Sequence, residues 1–421
     1  MNKRRIAIGS AALLLILALL AGSAVFVYVN NRRQEAQVEM DGVLYNQQDL
    51  LGYRSPYDQV IQPLCKPYLQ GEDLLLYSAL LYAYEKGISE IRLPTQTPYT
   101  ETDVFSILSM VKADYPQFMT TTLESKFSIS RDEEGVLTIQ IPETELAYIV
   151  GGELIEQAAA QLETMPAAGV DGMGDEARQA YAIYSYMLDT MAYKAEGSLE
   201  EGTGWNFTIQ GALMDKQAQC NGLAGAFQLF CRLKGIECYK VFYRGRDVGR
   251  EYGHVWNVVR LDGQWCHVDV TAALQCKESQ INYLTGEGLS PRVDIPDFFG
   301  MPDAEALADG LTYTGVLADK VPACSAALSG REQLYDVTEA AGGEEEAALA
   351  ARAGQVLAGR QQEAAPAVCI RFADQAGLTA FRENLFDGAA YISLLMENVA
   401  YNAGVYVFQN QTTLYIYLQP A

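Results

Sequence analysis

Histidine is scarce in this chain: two residues, His254 and His267, serve all 421 positions. With so few imidazoles, no CxxC pair and no His-rich tract, the ligand sets of a structural zinc site are missing. No loop carries the Asp-x-Asp-x-Asp-Gly spacing of an oxygen-ligand calcium site either, so no metal is expected. Positive charge is also in short supply. Lys and Arg number 30 against 53 Asp and Glu, and the net charge of −23 argues against nucleic-acid partners and against adhesion to anionic lipid heads. No internal repeat spans the chain. Nearly half of the residues are apolar, which suffices for real cores over a length that predicts two or three domains.

What is present begins at the N-terminus. Lys3-Arg4-Arg5 precedes an uncharged, mostly apolar run from Ile6 to Val29, long enough to cross a bilayer as one helix. Positive residues ahead of the run favour a cytoplasmic tail at 1–5 and an extracytoplasmic bulk, although Arg32-Arg33 on the far side weaken the asymmetry. A cleaved signal with Gly22-Ser23-Ala24 as its small-residue site competes with this reading. The apolar run continues through Val25–Val29, which favours an uncleaved anchor over 6–29. No cysteine lies in this segment to accept a lipid, and both readings export the rest of the chain.

Cys220 opens the stretch CNGLAGAFQLFCRLKG, in which Leu223, Phe227 and Leu233 recur at helical spacing and Gly235 supplies a stop. The thiol is therefore expected at a helix N-terminus, where unpaired N–H groups and the helix dipole favour the nucleophilic thiolate. Three β-like runs follow, Glu237–Tyr243, His254–Leu261 and Gln264–Val270, the last two joined by Asp262-Gly263 as a hairpin turn. Closing that hairpin brings His254 and Asp269 to the same end. An imidazole oriented by a carboxylate can take a thiol proton and return it to a leaving group. The roles this suggests are Cys220 as nucleophile, His254 as base and then acid, and Asp269 as orienter.

These blocks resemble the transglutaminase-like superfamily of papain-type thiol enzymes: CNG at Cys220–Gly222, HVWN at His254–Asn257 and VDVT at Val268–Thr271. Gly235-Ile236 and the LDGQW before the aspartate fit the same habit. The likeness covers roughly Asp175 to Leu284, about a quarter of the chain. It implies an α+β, papain-type core with the cysteine at a helix N-terminus, the His and Asp on adjacent antiparallel strands, and no organic cofactor. It also implies an oxyanion site made by the cysteine N–H and a second donor, for which Gln217 is preferred over Gln219 and Trp205. One departure stands out, because many relatives have Pro-Thr-Trp after the aspartate and this chain has Val270-Thr271-Ala272.

A buried cysteine is usually a small hydrophobe and a lone histidine usually structural. Three residue types in the right order on the right elements outweigh that default here. His267 keeps it: it alternates with Asp269 and reads as a neighbour, not a second base. A thiolate at Cys220 leaves seven cysteines, an odd number, so at least one more is unpaired. Cys231, Cys238 and Cys266 read as buried free thiols.

The remaining organisation reads as follows. Residues 30–71 form a polar juxtamembrane linker containing Pro63 and Pro67. An α+β domain over 72–150 has helices at Asp73–Lys86 and from Thr100 to Lys112, then a hairpin over Lys126–Ile141 turning at Asp132–Gly135. The core over 151–325 is fed by a helix carrying the stripe Ala180, Ile183, Tyr184, Met187, Leu188 and Met191. A separate C-terminal α/β domain over 326–421 has strands at Gln333–Val337, Val368–Phe372, Val405–Gln409 and Thr413–Leu418. Its helices fall near Glu344–Arg360, at Asp374–Phe386 and on to Ala400; Gly342–Ala365 also has the composition of a tether.

The function this implies is extracytoplasmic thiol-dependent acyl transfer on peptide or protein amides, as peptidase or transglutaminase, with cell-envelope components as candidate substrates. The alternative is an inactive relative serving as a peptide-binding or scaffolding module at the cell envelope.

Overall fold

The computed structural model describes residues 37–420 apart from short intervals, chiefly 119–126, 147–150, 195–207, 281–287, 289–293 and 340–344. The Ile6–Val29 run lies outside the described residues, among which no helix is long and apolar enough to cross a membrane. The chain divides into two compact units, one of residues 1–59, 63–114 and 122–149, the other of 60–62, 115–121 and 150–421.

The first unit is built on an antiparallel sheet in the order β2-β1-β3-β5-β4, from Val43–Asn46, Gln37–Met40, Glu90–Pro94, Val136–Gln140 and Ser128–Arg131. Residues 37–51, expected to be linker, are folded into it: β1 pairs with β3 and α1 (Gln47–Leu51) buries Leu50. The polar composition there belongs to a sheet edge, where one face stays wet. Helix α2 (Gly71–Lys86) ends at left-handed Gly87, as its sequence requires. Helix α3 (Glu101–Asp114) starts from a reciprocal Thr100/Asp103 cap, each backbone N–H donating to the other's side chain. Its last residue, Asp114, is fully buried and accepts from the N–H groups of Leu64, Cys65 and Lys66 and from the Tyr77 hydroxyl.

In the second unit α4 (Gly151–Thr164) and α5 (Asp175–Thr190) pack around α6 (Cys220–Leu233). Ala177, Ala180, Ile183, Tyr184, Met187 and Leu188 form the buried face of α5. Following the short strands β6 (Ala192–Tyr193) and β7 (Gln217–Ala218), α6 leads into β8 (Cys238–Asp247), β9 (Arg250–Leu261), β10 (Gln264–Val268) and α7 (Val270–Glu278). With β11 (Phe299–Met301) and β12 (Thr312–Thr314) these strands make an antiparallel sheet in the order β11-β10-β9-β8-β12. The β9–β10 turn is tight because Asp262 and Gly263 both have positive φ, 52° and 84°. The Asp262 carboxylate then reaches across to accept from the N–H groups of Glu176 and Ala177, capping α5. That approach requires Gly174, where a Cβ would meet the carboxylate at 2.2 Å.

The C-terminal segment falls in the same compact unit as the core. Its sheet runs β13 (Val337–Thr338), β14 (Ala367–Arg371), β16 (Thr413–Pro420), β15 (Ala403–Asn410), with β13 parallel to β14 and the other pairs antiparallel. The stretch that also read as a tether forms helix α8 (Glu346–Gly359), which packs Leu349, Ala353 and Leu357 with Phe381 of α9 (Gln375–Asp387) and Leu395 of α10 (Ala390–Met396). Fully buried Asp297, in the turn before β11, ties this sheet to the core. It accepts from the hydroxyls of Tyr335, Thr413 and Tyr415, from Asn410, and from Arg371 at 3.0 Å. With the carboxylate buried, removing any one of these partners leaves polar atoms uncompensated in the interior and is expensive.

Candidate active site

Cys220 is the first residue of α6, as its sequence requires. The preceding Gln219 is extended (φ −85°, ψ 177°) and no side chain caps the helix, so its first N–H groups and dipole act on the thiol. The small residues after it let the helix sit deep: a Cβ on Gly225 would meet Ile209 at 2.5 Å. Asn257 of the HVWN block donates to the Ala224 carbonyl at 3.0 Å, fixing β9 against the first turns of α6.

His254 lies on β9 opposite Tyr243 of β8. Its Nε2 is 2.7 Å from Asp269 Oδ2, which leaves Nδ1 for the hydrogen bond that the ring shares with the Cys220 thiol. The three predicted residues are therefore brought together. Burial works against the charged imidazolium, but the Asp269 charge and hydrogen bond, with Cys220 adding to both, outweigh it and push the His254 pKa up to about 10. The rise favours the protonated ring at neutral pH.

Asp269 sits differently from the expectation of a strand to Val270. Strand β10 stops at Val268, opposite Asn257, and Asp269 is the N-cap of α7. Its Oδ1 accepts from the Ala272 N–H at 2.9 Å while Oδ2 faces His254, and its own N–H donates to the Phe298 carbonyl at 2.9 Å. The reason is local, since Asp is a strong N-cap and Val270-Thr271-Ala272 continues as helix where many relatives have Pro-Thr-Trp. One carboxylate thus caps a helix and orients the imidazole, and at 8% exposure it is well shielded.

Gln217 lies on β7 with an exposed side chain, Gln219 is half-buried as the residue before α6, and Trp205 is outside the described residues. Two neighbours went unforeseen. The Tyr193 phenol is pushed up chiefly by burial, with Cys220 adding to the rise. Fully buried Lys240 donates from Nζ to Asn221 Oδ1 at 3.0 Å, with the ammonium 5.4 Å from the Phe242 ring. A lysine inside the otherwise apolar run of β8 was the signal for the second of these.

His267 is completely buried. Its Nδ1 accepts from Trp256 Nε1 at 2.9 Å and its Nε2 meets Asp303 Oδ1 at 2.9 Å. Cys324 lies close enough that His267, Asp303 and Cys324 have metal-ligand spacing. The hydrogen bonds oppose that use. An indole N–H pointing at Nδ1 requires the proton on Nε2, the atom a metal would need bare, so binding would demand an imidazolate or displacement of Trp256.

All eight cysteines are free, with Cys231, Cys238, Cys266, Cys324 and Cys369 buried together with Cys65. Burial raises the Cys231 thiol well above its ordinary value and pushes Cys276 and Cys324 up to about 12, keeping them inert as nucleophiles.

Residues 164–270 match the Transglutaminase-like superfamily, and this part of the chain is a transglutaminase-like domain of that superfamily. Two curated proteins are similar over short stretches. The kyphoscoliosis peptidase of Mus musculus is 30% identical over 98 residues, covering 21% of this chain and 15% of that protein. The kyphoscoliosis peptidase of Homo sapiens is 36% identical over 67 residues, covering 14% and 10%. The chain thus spans well under a fifth of the length of either relative. Among solved structures, that of a TGase aligns over 47% of this chain and 54% of its own at 10% identity and a TM-score of 0.23.

Proposed function

We propose that the protein is a thiol-dependent amide hydrolase of the papain type, acting on peptide bonds in peptides or proteins through Cys220, His254 and Asp269. The observation that carries this reading is the Asp269–His254–Cys220 hydrogen-bonded line at the uncapped start of α6. In the resting state His254 holds a proton between the Asp269 carboxylate and the Cys220 sulfur as thiolate. The sulfur attacks the amide carbonyl carbon, and the oxyanion that forms is met by N–H groups at the start of α6. His254 gives its proton to the leaving amine as the C–N bond breaks, leaving a thioester. A water, deprotonated by the now neutral His254, attacks that thioester and returns the free thiolate and imidazolium. Cys220 and His254 are both partly accessible, which supports water over an amine as the second acceptor, because transamidation needs water kept out. The names of the two peptidase relatives support the same choice.

Selective alkylation tests the resting state. Iodoacetamide at pH 6 should label Cys220 and spare the other seven cysteines. In His254→Gln the pH 6 rate should fall about 300-fold, since an ordinary thiol of pKa ~8.5 is only about 0.3% thiolate there. Equal, slow labelling of all cysteines would favour a scaffold without chemistry.

The setting is proposed from the sequence alone: a single anchor over Ile6–Val29 with Lys3-Arg4-Arg5 inside and the catalytic bulk outside the cytoplasm, near cell-envelope peptides. The full chain should resist high-salt extraction from membranes and leave only with detergent. A soluble product beginning near Val25 would instead establish signal cleavage.

A further inference from the structure

The chain buries its second histidine and pairs it with Asp303, whose side chain is 35% exposed, and the proposed reaction does not use this pair. His267 and Asp303 repeat the His–carboxylate arrangement of the active site one layer deeper, with His267 fully buried and Trp256 only 3% exposed. The two layers are joined by Trp256, whose indole N–H donates to His267 Nδ1 and whose ring lies 5.7 Å from the His254 ring at a 34° tilt. Asp303 is itself fixed from both sides. Its Oδ2 accepts from the Cys324 N–H at 2.9 Å and its own N–H donates to the Cys324 carbonyl at 2.8 Å. Tyr313 closes the group, its ring stacked on His267 at 6.2 Å and its hydroxyl 3.3 Å from Nε2.

We infer that Asp303, His267 and Trp256 form a positioning relay: Asp303 fixes the His267 tautomer, that tautomer anchors the Trp256 indole, and the indole sets the angle of the His254 ring toward Cys220. The geometry leaves His267 little else to do. A neutral ring with Nε2–H toward Asp303 presents a bare Nδ1 to the indole, and the reverse tautomer would put two N–H groups face to face. The indole N–H at Nδ1 calls for a neutral ring, and burial, which lowers the His267 pKa despite the opposing pull of Asp303, favours the same form. A second cation beside the imidazolium would weaken the thiolate pair; a neutral relay holds the ring without competing for Asp269. The indole also could not turn freely, because its N–H would lose a buried acceptor. This makes the Trp of HVWN part of the active site's support, not merely a core residue.

The inference rests on His254 being the catalytic imidazole, and one experiment separates the two. Iodoacetamide labelling at pH 6 yields two quantities, an amplitude that counts folded sites and a rate constant that reads the Cys220–His254 pair. Trp256→Phe keeps an aromatic ring but removes the N–H; His267→Leu removes both bonds; His267→Gln can restore an acceptor for the indole and a donor for Asp303. The rate constant should fall about 10-fold in the first two, the lower end of what outer partners of metal-bound imidazoles contribute, and return to within about twofold of wild type in His267→Gln. With only two histidines in the chain, ¹⁵N-histidine spectra give one ring each. His267 should show the Nε2–H neutral form from pH 7 to 8 in the wild type, and the His254 titration should move down in Trp256→Phe. Wild-type rate constants in Trp256→Phe and His267→Leu, whatever their amplitudes, would overturn the relay while leaving the triad standing. A wild-type protein whose Cys220 is not selectively labelled at pH 6 would remove both.

Discussion

Cys220→Ala should abolish acyl-enzyme formation: incubated with peptide substrate, the variant should show no mass adduct, while the wild type should carry the acyl group of its substrate on that residue. The fall in turnover should be about 10⁶-fold, because no other group can supply the electron pair to the carbonyl. The remaining cysteines offer no substitute. Cys65, Cys231, Cys238, Cys266, Cys324 and Cys369 are buried, and half-buried Cys276 has its thiol pushed up to about 12 by burial and by Asp297. The variant should fold, since alanine is the best helix former and the position is partly exposed at the first turn of a 14-residue helix. Intact-mass measurement after a short incubation checks it, with circular dichroism as the control. An adduct persisting in Cys220→Ala would mean another residue is the nucleophile.

The juxtaposition of Cys220, His254 and Asp269 was legible because its signal is local. A cysteine before a run of small residues, a two-residue Asp-Gly turn and a period-two strand are short-range features, and each fixes a backbone that the fold keeps. The same holds for α2 with its glycine stop and α3 with its Thr100/Asp103 cap. What was hidden depends on partners far away in sequence. The β1–β2 hairpin reads as linker until β3, some fifty residues later, supplies its third strand. Asp269 alternates convincingly as strand, and only its competing strength as an N-cap, with Phe298 holding its backbone from another segment, converts the next residue to helix. His267 reads as a bystander for the same reason: Asp303 lies thirty-six residues away and Trp256 eleven, and no periodicity joins them. The separate C-terminal domain drawn from the sequence meets a buried hub at Asp297 that reaches Arg371, Asn410, Thr413 and Tyr415. From Phe298, one residue on, the chain holds Asp269, so the C-terminal sheet and the carboxylate facing His254 share a support.

Asp269→Asn separates orientation from nucleophilicity. Asparagine is as good an N-cap as aspartate, so its Oδ1 can keep the Ala272 N–H and α7 should persist with a stability loss below about 1 kcal/mol from capping. The amide must then turn either an oxygen or an NH₂ toward His254 Nε2. With the oxygen serving the helix, the NH₂ faces the ring and forces the proton onto Nδ1, the side from which the sulfur's proton must be taken. Turnover should drop about 10⁴-fold with the fold intact. The pH dependence of stability supplies an independent check. In the wild type His254 is raised in the folded state, its ordinary value being 6.5 and its folded value about 10. That contribution is therefore fully present below about pH 6.5 and is lost as pH rises through about 10. Asp269 is the chief source of the rise, so the variant should melt with little change between pH 7 and 10, where the wild type loses stability steadily. Thermal denaturation at pH 6.5, 8 and 10 reads the difference. Parallel melting curves for the two proteins over that range would show that Asp269 does not hold the His254 proton, and the turnover loss would need another origin.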